Sequence, residues 1–135
     1  MTIRVRYKLE IAISSDQAEE RDLGNGKYEI VVDSQGEGGA WKTTLAAGAV
    51  NTPVQLPNVS TAKFLVVRTT PKNPNAVPSV VSLRRETVVG EEIKVQSLTT
   101  SKEGYFMLTT DSLTALFASN PGTVEMDLTV FVAGD

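Results

Sequence analysis

Apolar and polar residues alternate along much of this chain, most clearly at its start. Ile3, Val5, Tyr7, Leu9, Ile11 and Ile13 are separated by Arg4, Arg6, Lys8, Glu10 and Ala12. A period of two marks a strand with one apolar face and one wet face. Eleven residues at about 3.3 Å each span roughly 36 Å. A compact chain of this length is only about 37 Å across. The strand therefore crosses the whole domain or projects from it. Thr123 to Val132 repeats the pattern, with Val124, Met126, Leu128, Val130 and Val132 on one face.

Between these ends the chain is a series of short apolar runs cut by turn residues. Ser14 to Asp22 is polar and fits a loop or one or two helical turns stopped by Gly24. Asn25-Gly26 predicts a tight turn, because both residues accept positive φ. Strands are expected at Lys27–Asp33, Ala40–Leu45, Val50–Leu56, Val59–Thr70, Ser79–Arg85, Glu91–Leu98, Gly104–Thr110 and Ser112–Ser119. Phe64-Leu65-Val66-Val67 is apolar on both faces, which places that strand mid-sheet. Ser34 to Gly39 reads as a flexible link, and Pro71 to Pro78 as a stiff loop.

Eight to ten strands with turn chemistry every 8–12 residues predict an all-β fold. We expect one antiparallel β-sandwich domain over residues 1–135, jelly-roll-like, with at most one short helix. One pairing follows from charge. If the first and last strands are antiparallel neighbours, Arg6 faces Asp127 and Lys8 faces Glu125, with Val5 against Leu128 and Tyr7 against Met126.

Composition narrows the chemistry. The 135 residues include no His and no Cys, and the net charge is −3. Thiolate metal sites and disulfides are therefore excluded. The commonest general base is missing as well. The acidic balance argues against a nucleic-acid partner held by phosphate contacts. The alternating N-terminus predicts no secretory leader, and no run approaches the roughly 18 apolar residues of a membrane helix.

Motif matches carry little. Ser60-Thr61-Ala62-Lys63 fits the S-x-x-K pattern of serine acyl enzymes, but leads into a strand, where residues three apart point to opposite faces. Asp33 to Glu37 lacks the acidic series and terminal Glu of a calcium loop. The scattered carboxylates read as solvated surface. Trp41, Tyr28, Tyr105 and Phe106 are the side chains a sugar-binding module would use for stacking. A core or interface anchor is the more ordinary place for Trp41. No enzyme and no cofactor is expected.

From Thr61 onward the sequence resembles small structural proteins of tailed bacteriophage particles. The similarity runs through Ala62-Lys63-Phe64-Leu65-Val66-Val67, Ser82-Leu83-Arg84, Gly104 to Thr109, Leu113 to Pro121 and Val130 to Asp135. It implies a virion component without catalytic activity, such as a capsid decoration (cement), collar or tail-attachment protein. Such a protein is assembled in the host cytoplasm and works as a homo-oligomer with other virion proteins. The contact candidates are Arg4, Arg6 and Lys8 on the first strand, Trp41 beside the 34–41 link, and Pro74 and Pro78 in the proline-rich loop. Rigid loops lose less entropy on docking. The rival reading is a carbohydrate-binding module of a receptor-binding apparatus, which needs Trp41 exposed beside a groove.

Overall fold

A computed structural model describes residues 3–15, 18–32 and 37–135. Ten strands follow in order: β1 (Ile3–Ser15), β2 (Ala18–Val32), β3 (Glu37–Leu45), β4 (Ala49–Pro53), β5 (Ala62–Pro71), β6 (Val80–Arg85), β7 (Glu92–Gln96), β8 (Gly104–Leu113), β9 (Leu116–Asn120) and β10 (Met126–Gly134). Among the described residues there is no helix.

Eight of the strands form two four-stranded antiparallel sheets, ordered β3-β10-β5-β8 and β4-β9-β6-β7. Successive strands from β3 to β6 alternate between sheets, and the last four return in the reverse sense. That is the strand order of a jelly roll; the turn spacing predicts a sandwich of this size, and the order itself comes from the structure. The core lies between the sheets. Leu65, Val67, Val81, Leu83, Ala118, Met126, Leu128 and Val130 are all 0% exposed. On β10, Met126, Leu128, Val130 and Val132 face inward, as their alternation requires. β5 lies between β10 and β8, mid-sheet as its apolar centre predicts.

β1 and β2 stand apart as a two-stranded antiparallel sheet. This overturns three expectations. First, β1 does not pair with β10, because β3 and β5 occupy both edges of β10. Arg6 falls opposite Glu29 and Lys8 opposite Lys27 instead. Second, Asn25-Gly26 is not a turn. It lies within β2, opposite Glu10 and Leu9, and the hairpin closes between Ser15 and Ala18. Third, the polar stretch after Ser14 continues as strand from Ala18 instead of coiling.

The apolar rungs account for the choice of turn. Closing between Ser15 and Ala18 sets Ile3, Val5 and Tyr7 opposite Val32, Ile30 and Tyr28. Closing at Asn25-Gly26 would set Lys27 to Val32 against Glu19 to Gly24, a segment with four charged residues. Cross-strand apolar pairs outweigh the turn propensity of one dipeptide.

The edges of the link also move. Glu37 to Gly39 belong to β3 and pair with Val132 to Gly134; residues 34–36, and Asp33 of the calcium-loop reading, lie outside the described residues. The β8–β9 break falls at Thr114-Ala115 and not at Asp111, and β4 ends at Pro53. The β3–β4 connection is a tight turn, with the Ala49 amide donating to the Ala46 carbonyl at 3.1 Å. Gly48 there adopts φ of 77°, a conformation costly for any side-chain-bearing residue.

Candidate functional site

Chemistry is thinly spread over this molecule, so the candidate site is a surface. The outer face of the sheet β3-β10-β5-β8 carries an apolar row. Register places Ala40, Phe131, Val66 and Met107 side by side across the four strands. Phe131 is 46% exposed and Met107 50%. Large apolar side chains at such exposure, aligned across a sheet, form a patch of the kind that marks contact surfaces.

The next row is polar: Lys42, Thr129, Arg68 and Tyr105. Here the Arg68 guanidinium pairs with the Glu103 carboxylate. The Tyr105 hydroxyl donates to the other Glu103 oxygen at 3.1 Å. These hydrogen bonds, Arg68 first and Tyr105 second, hold the Glu103 carboxyl below the usual carboxylate range. The same bond to Glu103 raises Arg68. At the sheet edge, Asp127 accepts from the Thr44 hydroxyl at 2.7 Å and lies 3.6 Å from the Lys42 ammonium. A charged row beside an apolar row gives the face a definite orientation for any partner.

On the opposite sheet a shallow groove is lined by Val50, Asn51, Ser82, Arg84, Glu92 and Ser119. Ser82 donates to Glu92 at 2.6 Å, and this bond chiefly lowers the Glu92 carboxyl. Arg84 is 3.9 Å from the same carboxylate and also donates to the Gly90 carbonyl. The Asn51 amide donates to the Ser119 hydroxyl at 2.8 Å. The Ser82, Arg84, Glu92 and Ser119 side chains are thus engaged by their neighbours. Among the described residues no three carboxylates gather as a metal site.

The sequence matches no protein family and no curated protein.

The predicted contact residues are not brought to one place. Arg4 falls opposite Val31 on the hairpin, and Arg6 and Lys8 are exposed there. Trp41 lies on the inward side of β3, half-buried against the core. Pro74 is exposed at the tip of its loop. Pro78 is buried, which removes it as a docking surface. That loop is tied down: the Lys72 amide donates to the Glu125 carbonyl at 3.0 Å, and the Lys102 ammonium to the Ala76 carbonyl at 3.1 Å. Lys63 of the S-x-x-K match pairs with Asp135 at 2.5 Å.

Sequence reasoning missed the outer row of Val66, Met107 and Phe131. Its only signal is that β5, β8 and β10 each carry apolar residues on both faces near their middles. A mid-sheet strand buried on both faces gives the same signal. Exposure separates the two cases, and exposure is a tertiary property.

Proposed function

We propose that this chain is a non-enzymatic structural protein of a tailed bacteriophage particle. A capsid decoration (cement) protein, or a related head or tail accessory protein, fits best. It acts through contacts with other copies of itself and with other virion proteins. The observation that carries this reading is the β1–β2 hairpin, whose 13- and 15-residue strands form a sheet separate from the jelly roll. A two-stranded sheet is marginal in water by itself, so a long one calls for a partner. The apolar row on the outer sheet face supports the same reading. Jelly rolls also serve viral capsids and lectins, and the fold alone does not choose between them.

The carbohydrate-binding alternative depended on an exposed Trp41, and that ring packs against the core. Among the candidates whose side chains are described, Tyr105 is 60% exposed, and its hydroxyl is engaged by Glu103.

The test is quantitative mass spectrometry of purified particles from the source of this gene. We expect the chain at a fixed ratio to the major capsid protein. Its absence from particles refutes the role. A second check uses the hairpin: Arg4→Glu with Arg6→Glu leaves the thermal transition in place and lowers particle occupancy.

A further inference from the structure

β1 is paired along one edge only. Its partner is β2, and among the described residues no strand pairs with its other edge. A free edge of this length is a template for strand addition. Among the described residues no strand pairs with the far edge of β2 either, but β2 is irregular. Its partners step from Gly24 to Asp22 as β1 advances one residue, and from Arg21 to Ala18 as β1 advances two. Such bulges bend a strand and blunt its edge. All the extra residues are on β2, which leaves β1 regular from Ile3 to Ser15.

We propose that two copies of this chain join through β1, antiparallel, about a two-fold axis at Leu9. The sequence of β1 is self-complementary about that residue. Full overlap of Ile3–Ser15 with a second copy sets Leu9 opposite Leu9, Tyr7 opposite Ile11 and Val5 opposite Ile13. On alternate rungs it sets Lys8 opposite Glu10, twice, and Arg6 opposite Ala12. The register with the most rungs thus has two opposite-charge rungs and no like-charge rung. Centring on Tyr7 would oppose Arg6 and Lys8. Centring on Lys8 or Glu10 would oppose each to its own copy. A shift by one residue places the apolar set against the polar set.

The join adds about a dozen backbone hydrogen bonds, since alternate residues of an antiparallel edge each offer one donor and one acceptor. It also turns two marginal hairpins into one four-stranded sheet, β2-β1-β1-β2, past the three strands needed for independent stability. The pairing concerns the free chain and does not rest on the particle role.

The experiment uses the full chain, which has no cysteine of its own. Light scattering behind size exclusion should give twice the 14.5 kDa chain mass. A monomer at all concentrations overturns the proposal, whatever particles contain. Under mild oxidant, Leu9→Cys should form a disulfide-linked dimer, because residues opposite one another sit about 4.5–5.5 Å apart at Cα, within disulfide range. Ile3→Cys, placed opposite Ser15, should not cross-link. The reverse pattern overturns the register. Lys8→Glu alone and Glu10→Lys alone should each weaken the dimer about tenfold, by turning two attractive rungs repulsive. Mixing these two variants should restore it as a heterodimer. Equal affinity in the single variants and in the mixture overturns the pairing.

Discussion

Asn120 is a buried polar residue that links the two sheets, and its removal is the sharpest test of the fold. It ends β9, is 0% exposed, and makes three hydrogen bonds through its carboxamide. The Nδ2 group donates to the Leu45 carbonyl at 3.2 Å and to the Val124 carbonyl at 2.7 Å. Oδ1 accepts from the Gly122 amide at 3.3 Å. One side chain thereby ties β3 of one sheet to β9 of the other and fixes the turn leading into β10. In Asn120→Ala, three bonds at about 1 kcal/mol each are lost, and the vacated space adds about 1 kcal/mol. For a chain of this size, about 4 kcal/mol lowers Tm by roughly 12 °C.

Thermal unfolding followed by circular dichroism reads that shift, with the exposed Asn75→Ala as a control expected within about 0.5 kcal/mol of the parent. Asn120→Asp sharpens the test. Its second oxygen would face two carbonyl acceptors, so the folded state favours the protonated acid and the carboxyl rises above its ordinary value. Stability is then retained in acid and lost as pH rises past the usual carboxylate range. A fall in Tm below about 3 °C for Asn120→Ala, on the same scale of a few degrees per kcal/mol, refutes this account. So does an Asp variant whose deficit is the same at every pH.

Two further outcomes follow from close contacts elsewhere. A Cβ on Gly104 would sit 2.7 Å from Thr69 Oγ1 and 2.8 Å from the Gln96 carbonyl oxygen. Gly104→Ala should therefore cost about 1–3 kcal/mol by overpacking, read as a lower Tm; an unchanged Tm would show that the strands can part there. Glu86 accepts from the Thr114 hydroxyl at 2.6 Å and the Thr114 amide at 3.0 Å, and these bonds lower its carboxyl from the ordinary 4.5. Its stabilisation is full above that value and fades as pH falls through the lowered one. The gap between parent and Glu86→Gln should then close in acid, and a gap constant with pH would count against the carboxylate.

The all-β sandwich was legible because burial wrote itself into alternation. Met126, Leu128, Val130 and Val132 recur every second residue, and the run of β5 ends at Pro71, where the proline-rich loop begins. What escaped was set by competition between distant segments. Asn25-Gly26 has strong local turn chemistry, but the opposing apolar rungs of Ile3, Val5 and Tyr7 outweigh it. The charges of Arg6 and Lys8 fit Asp127 and Glu125 as well as any partner, yet β10 has no free edge. Trp41, by contrast, takes the ordinary place of a core anchor, because the phase of β3 turns it inward. Strand order and phase against a second sheet are global quantities, and a single strand does not encode them.

The hairpin is joined to the jelly roll at one edge strand, and this sets how the molecule bears mechanical load. β3 lies at the edge of its sheet, and its first residue, Glu37, pairs with Gly134 at the end of β10. Opposed pulls on the hairpin and on the Gly134 end would open that ladder like a zipper, one rung after another. The same pull, resisted at the far end near Leu45 and Met126, would strain all nine residues of β3 in shear at once. An arm anchored through β1 would therefore hold best when the body is gripped at the turns beside Gly48 and Gly122.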